Sequence, residues 1–429
     1  MVRIIAVMIF FFLGLQAFGL ESGKDSVSDG RELTVSLITC APGRDVYELC
    51  GHSALRIRGE GMDSVWNYGL FDFSAPHFVY RFVKGETDYK LGGYPFAWFL
   101  PEYQQAGREV TEQELNLSRA EASRLLALLR EESLPENCVY RYNYVKDNCA
   151  TRIVERLSQA SDRRIIFPDS VKYGTFRNEM RAFHRNYPWY QFGIDLALGS
   201  GIDYPLRGRE EMFVPVDMKE RFAEARFDDG RPLVKADRTL APDSGHAVDA
   251  PTPWYLTPLA AASLIFLLSL VVCLLEARRR KVWRWLYAIW FGICGIAGCV
   301  VFFLVFFSEH EAVSPNALLI WLNPLQLFGA VCVLSRRLRL GALAIAWYNI
   351  VAVGCMLIVW PFQAQSANPA FFPLMGADVA LAAAYAILNY KNEKNSDIGA
   401  GGSRHGKRAS SGGSRRGGGT SAPRGGNRR

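Results

Sequence analysis

Five long apolar runs crowd the last third of the chain, at residues 258–275, 286–307, 317–334, 341–360 and 371–390, each about the length that crosses a bilayer as a helix. Before them the pattern changes. From residue 20 to about 250 apolar positions are interleaved with charged and turn-forming ones, as in an extramembrane domain large enough to build its own core. One further apolar run, at 4–15, follows Arg3 and leads into Gln16-Ala17-Phe18-Gly19, with small residues at the spacing signal peptidase prefers. Residues 1–19 are therefore expected to be a cleaved signal peptide.

Within the 20–250 domain, Glu32-Leu33-Thr34-Val35-Ser36-Leu37-Ile38-Thr39 reads as a strand ended by Ala41-Pro42-Gly43. Residues 53–58 and 64–68 are two more β-type runs around Gly59-Glu60-Gly61, which predicts a hairpin and a small antiparallel sheet. Ser118-Arg119-Ala120-Glu121 has the spacing of a capping box, and Leu125, Leu126, Leu128 and Leu129 supply an apolar face, which predicts a helix over 119–132. Pro135-Glu136-Asn137 breaks it. Residues 139–145 alternate aromatic and polar side chains as a strand does, and Asn148 is placed to cap a second helix from Cys149 through Arg156.

Charge fixes an orientation. Arg278-Arg279-Arg280-Lys281 and Arg284 follow the first apolar run, and Arg336, Arg337 and Arg339 follow the third, whereas 308–311 and 363–366 carry no Lys or Arg. By the positive-inside rule the basic connections are cytoplasmic, the 20–250 domain is external and the C-terminal tail is internal. The 251–390 region is then a five-span domain. The tail, 391–429, is rich in Gly, Ser and Arg and is expected to be disordered. Its ten Lys and Arg against Glu393 and Asp397 amount to +8, so the rest of a chain of net charge +7 is close to neutral. Attraction of that tail to anionic lipid explains its composition without a nucleic-acid partner.

The candidate chemistry lies in two short stretches, Gly51-His52-Ser53-Ala54-Leu55-Arg56-Ile57 and Tyr144-Val145-Lys146-Asp147-Asn148-Cys149-Ala150-Thr151-Arg152. The first places a His at the start of a strand. The second places a Cys in the first turn of a helix, where unpaired backbone N–H groups and a partial positive charge favour thiolate over thiol and offer donors to an oxyanion. Together they point to a thiol nucleophile with its base, which is acyl chemistry. Cys40, Cys50, Cys138 and Cys149 are external, so disulfides from Cys40 to Cys50 or Cys138 are open, and Cys149 must stay reduced if it is the nucleophile. The other five cysteines fall in apolar runs as small fillers. The six His show no paired metal-ligand spacing, and no phosphate loop or dinucleotide fingerprint occurs, so neither metal nor cofactor is expected.

Residues 35–153 resemble the periplasmic N-terminal domain of the Lnb-type lipoprotein N-acyltransferases. The likeness rests on Tyr47-Glu48-Leu49 before Gly51-His52, on Asn67-Tyr68-Gly69-Leu70-Phe71-Asp72-Phe73, Gly85-Glu86-Thr87-Asp88-Tyr89 and Tyr94-Pro95-Phe96, and on Tyr140-Arg141-Tyr142-Asn143 through Arg152. The five-span region is similar to that family's membrane domain, with His310, Asn316 and Asn323-Pro324 in matching order. Cys50 departs from it, since an aromatic residue would be expected before Gly-His. His before Cys also resembles circularly permuted papain-like (NlpC/P60-like) folds.

The resemblance implies an α+β fold, a permuted papain-like periplasmic domain followed by an all-α five-helix membrane domain in the bacterial inner membrane. It implies Cys149 as nucleophile and His52 as base, with Asn67, or else Asp72, orienting the imidazole. Asn148, Arg152, Tyr68 and His310 are then expected to bind substrate. The implied reaction moves an acyl chain from a membrane phospholipid, through a Cys149 thioester, to the α-amine of a lipid-modified N-terminal cysteine on a lipoprotein. Two other readings stay open: a membrane-anchored cysteine amidase or peptidase acting on cell wall or peptide, and a non-catalytic envelope receptor or assembly factor.

Overall fold

The computed structural model describes residues 32–409 apart from 72, 73, 75, 246 and 247, with side chains described as far as Tyr390. The signal peptide expected at 1–19 and the last part of the tail lie outside the described residues.

The external domain is built on one antiparallel sheet. Its strands are β1 (Thr34–Cys40), β2 (His52–Gly59), β3 (Met62–Leu70), β4 (Asp88–Pro95), β5 (Val110–Leu115), β6 (Val139–Arg141) and, much later, β9 (Val234–Ala241). They lie in the order β6-β4-β3-β2-β1-β5-β9. The sheet is thus larger than the sequence predicts, because β4, β5 and β9 join it from positions with weak local signals. A two-stranded sheet of β7 (Ile165–Ile166) and β8 (Arg226–Phe227) sits apart from it.

The β2–β3 hairpin closes where expected. Gly59 pairs with Met62, and Glu60 and Gly61 take φ of 53° and 78°, the two positive values a tight hairpin turn of this hand requires. Alternation along the strands then sorts the core. Val35, Leu37, Leu55, Ile57, Trp66 and Tyr68 face one layer, and Ile38, Cys40, Ala54 and Val65 face the other.

Helices cover both faces. On the first lie α3 (Arg119–Glu132), held by the full Ser118/Glu121 capping box, and α4 (Cys149–Ala160), which packs on α3, β2 and β3. On the second lies α2 (Phe96–Gln105), through Phe96 and Phe99. Before it, α1 (Phe78–Lys84) buries no side chain. The strand expected over 139–145 stops at Arg141. Asn143 ends it, because its Oδ1 accepts from the N–H groups of Val145 and Lys146 and curls the chain into a tight loop bridged to Asp147.

Helices α5 (Phe176–Phe183), α6 (Pro188–Ala197) and α7 (Pro215–Glu224) complete the domain. Arg177 of α5, fully buried, joins it to α6 and the loop that follows by pairing with Asp195 at 2.9 Å and Asp203 at 2.9 Å and by donating to the Leu198 and Gly199 carbonyls.

The remainder is helical: α8 (Pro258–Arg279), α9 (Arg284–Phe307), the short α10 (Leu318–Trp321), α11 (Leu325–Leu334), α12 (Arg339–Val359) and α13 (Phe371–Ala409). Among the described residues four helices are long and apolar enough to cross a membrane. The third apolar run differs from the others. It is broken between α10 and α11 at Leu322-Asn323-Pro324, where proline cannot donate to the helix ladder. Side chains repair the gap: Asn323 Oδ1 accepts from Leu325 N–H, and Gln326 Nε2 donates to the Trp321 carbonyl at 2.7 Å. Asp378, fully buried, accepts from Trp290 Nε1 at 2.7 Å, Trp321 Nε1 at 3.2 Å and Asn349 Nδ2 at 3.2 Å, tying four helices together. Helix α13 runs on to Ala409, so residues 391–409, expected to be disordered, continue it. Each residue added to an already nucleated helix needs only its own hydrogen bond.

Candidate active site

Gly51 opens the site. Its φ of +80° turns the chain into β2, and a Cβ there would lie 2.6 Å from the Cys40 carbonyl oxygen, so only glycine fits ahead of His52. Asn67 stands diagonally across the hairpin, and its Oδ1 accepts from His52 Nε2 at 2.8 Å. That bond selects the tautomer protonated on Nε2 and leaves Nδ1 as the basic nitrogen. Tyr94 lies beside the Asn67 amide, and Asn67 itself is buried.

Cys149 sits in the first turn of α4, as expected, and interacts with the His52 ring. Burial of the thiol works to raise its pKa, yet the hydrogen bond from His52, the imidazolium charge, and the N–H and hydroxyl of Ser53 outweigh it, and the net direction is down. Burial likewise works against a charged His52, and the bond to Cys149, the thiolate charge and Asn67 outweigh it, so its pKa is raised. The pair therefore favours thiolate and imidazolium together. Neighbouring Cys50 behaves oppositely: burial pushes its thiol up to about 12, despite a contact with Tyr144 Oη at 3.5 Å.

Ser53 is the residue that sequence reasoning missed. It is fully buried, its hydroxyl has no partner elsewhere, and it lies beside the Cys149 sulfur. Its signal was its place directly after His52.

The first turn of α4 offers fewer free donors than its position implies. Asn148 Oδ1 already accepts from Ala150 N–H at 2.9 Å and Thr151 N–H at 3.0 Å, and the Arg152 N–H goes to the Asn148 carbonyl. Two of the donors expected for an oxyanion are thus taken by the cap.

The residues expected to bind substrate are engaged within the chain. Asn148 Nδ2 donates to the carbonyls of Tyr144 and Phe213, so this side chain caps the helix and holds the loop. Arg152 forms a two-pronged pair with Asp147 at 2.6 and 2.8 Å and lies over the Tyr140 ring. Tyr68 is buried and donates to Glu132, which Arg156 also holds. His310 Nε2 bonds the Phe82 carbonyl at 2.8 Å. Each has a partner inside the fold, Asn148 and Tyr68 as buried polar groups and Arg152 and His310 as partly exposed ones. Asp72 lies outside the described residues.

All nine cysteines are free, so neither Cys40 nor Cys138 is in a disulfide. Among the described residues no three His, Cys, Asp or Glu side chains converge as a metal ligand set would.

The site is tethered to the helical domain. Ser308 donates to the Val83 carbonyl, Glu309 N–H to the Lys84 carbonyl, and Lys146, three residues before Cys149, pairs with Glu311. Gly199 and Ser200 donate to the Ala312 and Pro315 carbonyls at 2.9 and 2.8 Å, and Asn368 Nδ2 bonds Asp195 at 2.9 Å. A Cβ on Gly199 would stand 2.2 Å from the Pro315 oxygen, so the close approach of the two backbones depends on that glycine.

Two family matches cover this architecture: the Lnb N-terminal periplasmic domain over residues 24–178, and the Lnb transmembrane domain over residues 250–393. The chain belongs to the Lnb family. It holds both of that family's domains in order, one α/β and periplasmic, the other helical and in the membrane. No curated protein and no solved structure matches it. The loops that touch the Lnb periplasmic domain, 308–316 and 363–368, are those without Lys or Arg, while the basic connections lie at the other ends of the helices.

Proposed function

We propose that this Lnb-family protein is a lipoprotein N-acyltransferase with Cys149 as nucleophile, His52 as acid and base, and Asn67 as the group that orients the imidazole. The observation that carries the reading is the His52–Asn67 bond of 2.8 Å beside a Cys149 thiol whose pKa is lowered against its own burial, in a domain pinned to a membrane region.

The thiolate attacks the ester carbonyl of a membrane phospholipid. The tetrahedral intermediate collapses, and the alkoxide of the departing lysophospholipid takes the proton from the His52 imidazolium, which leaves a thioester on Cys149. The α-amine of a lipid-modified N-terminal cysteine then attacks the thioester, His52 Nδ1 takes the amine proton, and the thiolate departs as the amide forms. Ser53 and the Cys149 N–H are the donors we assign to the oxyanion in both steps.

On this reading the strand-borne His and helix-borne Cys belong to a permuted papain-like domain. The broken third run serves as a fifth span, the protein sits in the bacterial inner membrane, and the C-terminal end of α13 is cytoplasmic. A hydrolase of cell wall or peptide would use the same pair but transfer to water, and it has no need of the many bonds that hold the site to the membrane domain.

The test is mass spectrometry of lipoprotein N-terminal peptides from cells carrying the protein, its Cys149→Ser form, or neither. N-acylated peptides that appear only with the intact thiol support transfer. Acylation indifferent to Cys149 removes it and leaves a hydrolase or a receptor.

A further inference from the structure

Helix α1 is an oddity for a soluble domain. None of its seven residues is buried, and Val79, Tyr80 and Phe82 are 72%, 53% and 47% exposed. Such a helix has no core to hold it, and the chain holds it instead by its carbonyls: those of Phe82, Val83 and Lys84 receive hydrogen bonds from His310, Ser308 and Glu309, at the external end of α9. The Tyr80 ring lies 6.1 Å from that of Phe303, which stacks on Phe307 in the last turns of α9. The exposed apolar face is therefore continuous with a membrane span at the level where that span leaves the bilayer. Aromatic side chains are at their most stable there.

From α1 a file of rings leads inward. Phe82 stacks on Phe78 at 6.1 Å, Phe78 on Phe71 at 6.0 Å, Phe71 meets Tyr89 at 5.0 Å, and Tyr89 stacks on Tyr142 at 4.1 Å. The file ends at the nucleophile. A Cβ built on Gly69 would touch Tyr142 at 3.9 Å and the Cys149 Cβ at 3.8 Å, so the missing side chain of Gly69 leaves a gap between the last ring and the thiol.

We propose that α1 lies in the outer face of the bilayer and that the ring file from Phe82 to Tyr142 is the track along which one phospholipid acyl chain reaches Cys149. This rests on the reading of Cys149 as the acyl acceptor. Each CH₂ of the chain that stays against apolar rings is kept out of water, so a lined path retains a lipid whose ester has left the headgroup plane. The same path, being apolar, keeps water from the thioester.

The experiment uses the full-length Cys149→Ala protein in vesicles of phosphatidylethanolamine and phosphatidylglycerol containing phosphatidylcholine with a diazirine on one acyl chain. After illumination, labelled peptides are mapped by mass spectrometry. The expected result is label on the peptides carrying Phe78 to Phe82 and Tyr89, and a fall of several-fold at Tyr89 when Val79 and Tyr80 are both changed to Glu. Label confined to residues 258–390, or label at Tyr89 unmoved by the double change, overturns the track.

A second arm uses the protein with Cys149 intact. The Val79→Glu, Tyr80→Glu change should reduce loading of Cys149 from vesicle phospholipid at least tenfold more than loading from p-nitrophenyl butyrate. Equal losses would make α1 a support for the catalytic pair and overturn the track. Labelling does not depend on transfer, so a labelled track with no acylation of Cys149 by any donor would sink the transferase reading and leave the lipid path standing.

Discussion

Asn67 Oδ1 lies 2.8 Å from His52 Nε2, on the neighbouring strand of a hairpin whose turn is only two residues long. Since Leu55 pairs with Trp66, Asn67 falls diagonally opposite His52 on the same face of the sheet. The bond holds the ring in the tautomer that frees Nδ1. Replacing Asn67 by Ala should lower the rate of Cys149 acylation while leaving the fold intact, and replacing it by Asp should retain part of the rate. A carboxylate in that place favours imidazolium, so the alkaline limb of the pH–rate profile should move to higher pH in the Asp variant. His52→Ala should cost on the order of 10²–10⁴-fold.

The thiol itself offers a direct reading of the pair. With its pKa lowered chiefly by the His52 hydrogen bond against burial, Cys149 should be alkylated by iodoacetamide below the pH at which an ordinary thiol reacts. Loss of His52 removes the largest opposition to burial and leaves only Ser53, so in His52→Ala the limb should shift to higher pH. Peptide mass spectrometry separates this from Cys50, which burial pushes up to about 12 and which should stay unlabelled near neutrality.

Ser53 provides a test of oxyanion stabilisation. Its buried hydroxyl makes no other bond, so Ser53→Ala removes little from the folded state. It should nevertheless lower kcat by roughly 10²-fold, with KM nearly unchanged, as the loss of an oxyanion donor does. A parallel loss in KM would make Ser53 a contact of the ground state instead.

Away from the thiol, Arg177 holds α5, α6 and the following loop through two buried carboxylates. Arg177→Ala strands the buried Asp203 carboxylate without its cation and leaves Asp195 with Arg181 as its remaining cation, and should destabilise the external domain by roughly 3–5 kcal/mol. Asp195 also receives Arg181 and Asn368, so thermal unfolding should show the loss of docking to the 363–368 loop along with the loss of the domain.

Much of this was legible in the chain because it is local. The Ser118/Glu121 and Asn148/Thr151 caps, the Glu60-Gly61 turn and the apolar stripes of the membrane helices each depend on residues a few positions apart. Less legible were β4, β5 and β9, which become strands by pairing with distant partners. The intrachain partners of Arg152, Tyr68 and His310 were also hidden, since a polar side chain carries no sign in sequence of which distant group the fold will bring to it.

By itself, then, the sequence determined the two solvents of the chain, the hairpin that sets His52 beside Asn67, and the helix that begins at Cys149. All three follow from hydrophobic period, turn chemistry and capping, which act over short distances. Only the tertiary structure decided that α4 packs on β2 and β3 so that the thiol meets the imidazole, that Ser53 faces the sulfur, and that loops 308–316 and 363–368 clasp the external domain. Those contacts join residues about a hundred or more positions apart, and they form because the same core and the same buried hydrogen bonds must be satisfied at once.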